Sequence, residues 1–409
     1  MGHRKRGQEE NGKDPEFWRG DSLTIVGSDL ERHNRLRKIL SHSFSARAMM
    51  DHQPIILHYV SLLMERLKAA AAGGQAQDMT SWYNWTTFDV IGDLTFGEPF
   101  GCLDQSHYHS WVQLIFKHIK GMAISTSLIR LPFTETLINL ITPKDVTRDV
   151  QSHWEFVTAQ VGKRLAFKDP RPDFMKSIIH AHEKDQISHM EILRNAHMLI
   201  VAGSETTATA MSGITYLLAT NKPIQKKLQA ELRETFNNED EINLLSVQKL
   251  DYMMAVIQEG LRLFPPNPSS IPRKAPPSGT TIRGEYIPPN TILHIFHWQM
   301  FHNPKLFRDP EAFVPARWLG EKKYDSDHKK ALQPFSVGPR NCVGKNLAYA
   351  EMRLILSRMV WTFDIELDPR STGWFEKNRV YFLWDKPPLY VRLIPRNQGA
   401  QLAEKTVTE

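Results

Sequence analysis

Apolar side chains recur every three to four residues along most of this chain, which predicts helices rather than strands. The longest helical segment begins at a capping box, Ser188-His189-Met190-Glu191, and ends before Asn221-Lys222-Pro223. About 32 residues at roughly 1.5 Å each give a helix of about 48 Å, long enough to cross the whole molecule. Shorter helices are predicted around His33 to Leu40 and at residues 48–72, 82–97, 246–264 and 345–361.

Alternation of apolar and polar residues is confined to short stretches in the second half of the chain. It predicts a hairpin of residues 280–287 and 291–296 and strands at residues 365–367, 379–383 and 389–394. Residues 1–30 are polar and are predicted to be loop, and the tail at 397–409 is predicted to be disordered. The fold class predicted is therefore mainly α with small β-sheets.

Composition, net charge and cysteine spacing exclude several classes of function. The 409 residues are 41% hydrophobic and 23% charged, which is ordinary for a globular protein. The net charge is +6 without a dominant block of like charges, so nucleic-acid binding is not expected. No run of about 18 apolar residues occurs, so no membrane-spanning helix is predicted. Cys102 and Cys342 lie too far apart in sequence for a metal or redox motif, and they do not suggest a disulfide framework.

Cys342 lies in a glycine-punctuated loop, residues 334–344, that runs directly into a predicted helix. The free N–H groups and the positive dipole end of a helix start favour a thiolate over a thiol. A thiolate is a good axial ligand for haem iron, and the planar fork of Arg340 could reach a haem carboxylate. The alternative is a buried structural cysteine beside a chance glycine pair. Matching Phe335, Gly338, Arg340, Cys342 and Gly344 by accident would happen in about one chain in ten thousand.

This phrase resembles the haem-binding loop of the cytochromes P-450, the haem-thiolate monooxygenases. The resemblance implies that the Cys342 thiolate binds haem iron and that Phe335 and Arg340 belong to the cofactor site. It also implies that Arg273, in the extended stretch Ser270-Ile271-Pro272-Arg273, meets a haem propionate and that Ser270 and Ile271 line the substrate pocket.

The middle of the long helix reads Ala202-Gly203-Ser204-Glu205-Thr206. Glycine costs roughly 1 kcal/mol in a helix interior, and a threonine hydroxyl can bond the carbonyl four residues back. A glycine, a carboxylate and a hydroxyl at one turn suggest a local opening that holds water. The alternative is a helix-packing glycine beside a surface glutamate. The segment resembles the family's oxygen-binding groove, which makes Glu205 and Thr206 the acid–alcohol pair that delivers protons.

His33 and Arg37 stand one helical turn apart on a basic helix. Alone they would fit a solvated basic face, but the resemblance implies that both contact a haem propionate. Glu259 and Arg262 likewise share a helix face, and alone they would fit an exposed ion pair. The resemblance implies instead a buried network with Arg317 that positions the chain around the cysteine loop.

The resemblance covers residues 31–367 and implies one mainly helical haem-thiolate domain, residues 1–396. It implies a monooxygenase of fungal type that oxidises an apolar small molecule, in the synthesis of a secondary metabolite, as a monomer. The chain has no dinucleotide-binding fingerprint, so electrons are expected from an NADPH-cytochrome P-450 reductase. Lys329, Lys345 and Arg358 are predicted to offer that reductase a basic docking face.

Family members of this kind begin with a membrane anchor, a first helix and two strands, and this chain starts after them. By resemblance the protein is expected at the cytosolic face of the endoplasmic reticulum; without an anchor it would be cytoplasmic. The absent strands would leave an unpaired edge at residues 280–296. Two alternatives follow: a non-catalytic haem-binding remnant, and a haem-thiolate isomerase or peroxygenase that needs no reductase.

Overall fold

The computed structural model describes residues 9–19, 21–128, 131, 133, 144–167 and 171–396. Within these ranges the chain is mainly helical with small antiparallel sheets, so the predicted fold class is confirmed. The predicted disordered tail at 397–409 lies outside the described residues.

In chain order the described α-helices are α1 Leu30–Ser41, α2 Ala46–Ala71, α3 Met79–Phe96, α4 Cys102–Gln105, α5 Ser110–Leu128, α6 Lys144–Ala166, α7 Met175–Glu183, α8 His189–Thr220, α9 Lys222–Thr235, α10 Asp251–Leu263, α11 His297–Phe301, α12 Lys345–Thr362 and α13 Trp374–Lys377. The described strands are β1 Gly12–Lys13, β2 Gln77–Asp78, β3 Arg273–Lys274, β4 Thr280–Ile282, β5 Glu285–Ile287, β6 Ile292–Leu293, β7 Phe363–Leu367, β8 Arg379–Tyr381, β9 Leu383–Asp385 and β10 Tyr390–Pro395. Short 3₁₀ turns lie at Glu239–Glu241, Ser246–Lys249, Pro315–Leu319, Lys322–Tyr324, Lys329–Ala331 and Pro369–Ser371.

Helix α8 is the long helix that the sequence predicted, and its capping box is present. The Ser188 hydroxyl accepts from the Glu191 amide at 3.2 Å, and the Glu191 carboxylate accepts from the Ser188 amide at 2.9 Å. These reciprocal bonds satisfy two amide groups that a helix start would leave without partners. Helix α8 packs along α3, most of whose residues are buried. Helices α3 and α8 therefore pack together in the core.

The strand predictions need two corrections. Residues 280–287 and 291–296 do not pair with each other. The chain already turns at Arg283 and Gly284, which both have positive φ, so β4 pairs with β5. Strand β6 pairs instead with β3. Residues 379–383 were predicted as one strand, but a turn at Phe382, with φ of 70°, makes β8 and β9 a hairpin.

The segment predicted to be N-terminal loop contains strand β1. It pairs with β3 in antiparallel register, Lys13 opposite Arg273, so β3 has a partner on each side in the order β1-β3-β6. The unpaired edge was expected at residues 280–296, and within the described residues β6 is an end strand of this sheet, while β4 and β5 pair only with each other. The pairing of β1 with β3 brings the first described residues next to Arg273, one of the predicted cofactor-binding residues.

Candidate active site

The loop before helix α12 is held in shape by its own backbone. The Cys342 amide donates to the Phe335 carbonyl at 2.8 Å, and the Asn341 amide donates to the Gly338 carbonyl at 3.0 Å. Gly338 has φ of 81°, a left-handed conformation that glycine adopts without strain. Cys342 is exposed, and helix α12 begins three residues later, as predicted. The thiol is thus presented on a fixed loop at a helix start.

The thiol itself does not behave as the helix-start argument predicted. The Cys342 side chain is open on one side, yet the protein around the sulfur desolvates it and raises its pKa above the ordinary value. The Gly344 amide and the charges of Arg37 and Lys345 act in the opposite direction but are smaller effects. Burial therefore favours the thiol, and a bound cation such as a metal ion would favour the thiolate.

Arg37 is hydrogen-bonded to the cysteine loop, and its contact with a propionate stays a prediction. Its guanidinium donates to the Asn341 carbonyl at 2.5 Å and to the Asn341 side-chain oxygen at 2.7 Å. His33, one turn earlier on α1, is buried, and burial together with the charge of Arg340 lowers its pKa to about 4. The two predicted residues therefore have different surroundings: Arg37 is bonded to the cysteine loop, and His33 lies near Arg340.

Four basic side chains, Lys13, His33, Arg273 and Arg340, form what we call the cation cluster. Arg340 donates to the Ser28 carbonyl at 2.9 Å and through two nitrogens to the Glu10 carboxylate, one of them at 3.1 Å. Arg273 lies 3.7 Å from the same carboxylate. The predicted cofactor-binding residues Arg273 and Arg340 are thus brought together.

The arginine charges of this cluster lower the pKa values of the neighbouring basic groups. Burial and the charges of Arg273 and Arg340 lower the pKa of Lys13 to about 6. Burial and the charge of Arg340 lower the pKa of Arg273 to about 10. With the pKa of His33 lowered to about 4 and that of Lys13 to about 6, the two arginines still share one carboxylate, so the cluster is short of negative charge. The donor set therefore fits a ligand that carries more than one carboxylate, and Glu10 already stands in for one of them.

Helix α8 presents the second part of the site. Thr206 donates to the Ala202 carbonyl at 2.7 Å, the bond that its position predicted. A Cβ at Gly203 would lie 2.6 Å from Cδ1 of Ile91 on α3, so Gly203 is a helix-packing glycine, the alternative interpretation. Ala202 is exposed beside it.

Glu205 is buried and turns away from Thr206. Its Oε1 accepts from the Lys386 ammonium and, at 3.3 Å, from the Thr209 hydroxyl. Its Oε2 is buried without a hydrogen-bond partner among the described residues. Burial raises the pKa of Glu205, while the charge of Lys386 lowers it. The structure therefore gives the two predicted relay residues separate partners.

Apolar side chains flank the cation cluster along the chain. Ile271 is exposed just before Arg273, and Ile295 and Phe296 are exposed just after β6. The Ile295 amide donates to Ser270 Oγ at 3.0 Å, so these two stretches are adjacent. Phe335 is half-buried and lies 5.1 Å from Tyr349, between ring centroids. An apolar surface next to a cationic one suits a flat apolar ligand with charged edges.

The network around Glu259 is fully buried. Arg262 donates to Glu259 at 2.9 and 3.0 Å, and Arg317 donates to it at 3.0 Å. Trp318 donates to the same carboxylate at 2.9 Å, and Arg317 is also paired with Asp327. Both arginines and Glu259 have no exposed surface. The buried network that the resemblance implied is present.

The predicted docking face is only partly at the surface. Lys345 is exposed and Lys329 is half-buried. Arg358 is buried, donates to Ser61 Oγ at 2.7 Å and lies 3.8 Å from Glu239, so it belongs to the interior and not to a docking face.

Three residues with unusual surroundings escaped the sequence analysis. Lys13 and Lys386 belong to no motif, because strand pairing and tertiary packing bring them to the site. Glu351 on α12 is buried, and burial raises its pKa to about 8. Its only sequence signal is a carboxylate on a mostly apolar helix.

The chain matches the family model for cytochrome P-450 over residues 4–393. Trichothecene C-15 hydroxylase of Fusarium sporotrichioides is 43% identical over 399 residues, which cover 97% of this chain and 81% of that protein. The cytochrome P-450 monooxygenase astJ of Aspergillus oryzae is 41% identical over 97% of this chain and 80% of its own length. Averantin hydroxylase of Dothistroma septosporum is 40% identical over 91% of this chain and 71% of that protein.

Proposed function

Because the chain belongs to the cytochrome P-450 family of haem-thiolate monooxygenases, we propose that Cys342 is the ligand of its haem iron. The chain is an oxidoreductase, a monooxygenase with the fold of that family. When bound, haem supplies reductive O₂ activation, in which two electrons and two protons are consumed, one oxygen atom enters the substrate and the other leaves as water. The remaining chemistry is the work of this chain's own side chains.

The observation that carries the proposal is the cation cluster beside the cysteine loop. Arg340 belongs to both, since it lies two residues before Cys342 and binds the Glu10 carboxylate. A ligand with two carboxylates would replace Glu10 and add the negative charge that Lys13 and Arg273 lack. Metal binding would remove the thiol proton that burial otherwise retains at Cys342.

The predicted relay residues take the role of moving protons. Glu205 Oε2 is the acceptor free to bond a water molecule, since Oε1 is engaged by Lys386 and Thr209. The Thr206 hydroxyl is anchored on the Ala202 carbonyl and offers its oxygen as acceptor. A raised pKa suits Glu205 to giving and recovering a proton near neutral pH.

The substrate proposed is an apolar polycyclic small molecule of fungal secondary metabolism. Two relatives are named as hydroxylases of a trichothecene and of averantin, and the exposed Ile271, Ile295 and Phe296 would contact such a substrate. Hydroxylation of a C–H bond is the reaction proposed. Terpenoid, polyketide and alkaloid skeletons all suit these apolar contacts.

Members of the family generally take electrons from a reductase and are associated with the endoplasmic reticulum membrane. We assign the same donor, NADPH-cytochrome P-450 reductase, and the cytosolic face of that membrane to this chain, as a monomeric domain of residues 1–396. Over the described ranges, no helix combines the length and apolar character needed to cross a membrane.

The test is the carbon monoxide difference spectrum of the reduced, haem-loaded protein. We expect the band of thiolate-ligated haem in the natural chain and its loss in Cys342→Ala. Cys102→Ser is the matched control, because Cys102 is buried beside His109 and Asp89, away from the loop. An unchanged spectrum in Cys342→Ala would overturn the proposal. Turnover that depends on added reductase then separates a monooxygenase from a peroxygenase or a haem-binding remnant.

A further inference from the structure

A buried lysine contacts the predicted relay acid. The Lys386 ammonium donates to Glu205 Oε1 and, at 2.9 Å, to the Thr209 hydroxyl. The side chains of Lys386 and Glu205 are only 3% and 4% exposed, so water does not screen their attraction. Removing two charges from water costs free energy that offsets much of their mutual attraction. Fold stability alone therefore does not explain why this ion pair is buried here.

We propose that Lys386 is a positioning residue for proton delivery: it holds Glu205 Oε1 and leaves Oε2 as the one oxygen that exchanges protons. This inference rests on the proposed function. It assigns the lysine no contact with the substrate or with haem. Its role is to set the orientation and the charge of the carboxyl group.

The charges that face Glu205 explain why a lysine is needed. Burial raises the pKa of Glu205, and the nearby carboxylate of Asp385 raises it further. Tyr108 is also close enough to interact with Glu205, but burial raises the pKa of that phenol to about 12, so it stays neutral. Lys386 is the cation that lowers the pKa of Glu205. Without it the carboxyl would hold its proton, and a relay must release protons as well as accept them.

The backbone on either side of Lys386 is anchored. Trp384 donates to the Pro265 carbonyl at 2.8 Å and stacks on Phe264 with ring centroids 4.5 Å apart. The Pro387 carbonyl accepts from Thr80 at 3.2 Å and from Trp374 at 2.9 Å. These contacts fix the chain two residues before Lys386 and one residue after it. The ammonium is therefore held against Glu205 by the fold and not by chance rotation of a surface side chain.

The first measurement needs no haem. Lys386→Met leaves Glu205 buried without its cation, so the folded-state pKa of Glu205 rises further above its value in the unfolded chain. A raised carboxyl pKa gives stability that is present at low pH and lost as pH rises through the folded-state pKa. We therefore expect the denaturant midpoint of Lys386→Met to fall increasingly below that of the natural chain from about pH 5 to about pH 8. Between Glu205→Gln and Glu205→Gln/Lys386→Met, which both lack this carboxyl group, the growing difference should be absent.

The second measurement is the ratio of peroxide to hydroxylated product in the reductase-driven reaction. We expect this ratio to rise about tenfold in Lys386→Met and to return towards the natural value in Lys386→Arg. Arg164→Met is the matched control, because Arg164 and Asp173 form another buried ion pair, at 2.8 Å, on α6 and before α7. It should lose stability without a change in this ratio.

A Lys386→Met variant whose stability follows pH in parallel with the natural chain would overturn the inference. A peroxide ratio that rises equally in Arg164→Met would also overturn it, because a general loss of stability would then be the cause. If the natural chain shows no thiolate spectrum, the proposed function is wrong, and this inference is wrong too because it rests on that function. A normal spectrum with an unchanged Lys386→Met overturns the inference alone.

Discussion

Two groups of arginine side chains differ in their balance of charge. In the network around Glu259, two arginines face two carboxylates, those of Glu259 and Asp327. In the cation cluster, Lys13, His33, Arg273 and Arg340 share the single carboxylate of Glu10. The first group is satisfied by the protein alone, and the second is not.

The difference separates a structural role from a binding role. Arg262 donates its remaining N–H groups to the Phe301, Pro310 and Ala312 carbonyls at 2.6–3.0 Å. Every donor of its guanidinium therefore has a hydrogen-bond partner. In the cation cluster, NH1 of Arg273 is buried without a hydrogen-bond partner among the described residues. Like charges held together at a desolvated site cost free energy until an anion joins them. A balanced arginine group stabilises the fold, and an unbalanced one marks a site for an anionic ligand.

The largest effect is expected for Glu259→Gln. Removing this carboxylate charge leaves Arg262 and Arg317 buried without their main counter-ion, which should lower the free energy of unfolding by about 3–5 kcal/mol. Urea unfolding followed by circular dichroism measures it. The control is Arg233→Met, which breaks the partly exposed pair with Asp364 and should cost less than about 1 kcal/mol. Equal losses in the two variants would contradict the structural role.

Removing one arginine from the cation cluster should mainly lower haem affinity, whereas Glu259→Gln mainly lowers the stability of the fold. Arg340→Met and Arg273→Met each lose charged hydrogen bonds to an anionic ligand, about 1.5–3 kcal/mol, so haem affinity should fall roughly tenfold or more. Titration of the haem absorbance band gives the affinity. Stability without haem should fall little or rise for Arg273→Met, because that variant relieves repulsion at Lys13.

The matched control for this pair is Arg392→Met, because the exposed Arg392 on β10 lies 3.8 Å from Asp368. It should leave haem affinity unchanged. If Arg340→Met and Arg273→Met also bind haem with the natural affinity, the cation cluster is not the carboxylate site, and the contrast with the Glu259 network fails.

The parts of the fold that could be predicted from sequence are those with local signals. Helix α8 has a capping box at its start and Pro223 just beyond its end, and both lie within a few residues of the boundary that they define. The cysteine loop is a continuous phrase, so its conformation follows from its own glycines and backbone bonds. The hairpin at residues 280–287 was mispaired because apolar alternation does not reveal a turn at Arg283 and Gly284.

The parts of the site that could not be predicted depend on distant contacts. Lys13 reaches Arg273 through the pairing of β1 with β3, and Lys386 reaches Glu205 across 181 residues of chain. No spacing rule connects such positions. The protein partner of Arg37 could not be predicted for the same reason: its position on α1 was visible, but packing brings Asn341 to it. The thiol pKa was misjudged because burial is a property of the folded chain.

The smallest effect, and the most selective test of the contrast, is a pH dependence caused by Lys13. Its pKa falls from the ordinary 10.5 to about 6 on folding, so between these values the unfolded chain holds one proton more than the folded chain. Without haem, stability should therefore rise with pH above about 6, by up to about 1.4 kcal/mol per pH unit, and Lys13→Met should remove this slope.

Adding haem should remove the same slope in the natural chain, because its carboxylates restore the charge of Lys13 and bring its folded-state pKa back towards the ordinary value. Urea midpoints between about pH 6.5 and pH 8.5, with and without haem, measure both effects. No counterpart is expected at the Glu259 network, where each arginine already has its carboxylate. A slope that persists with haem bound would place the ligand's negative charge away from Lys13 and would remove the charge-deficit argument on which the contrast depends.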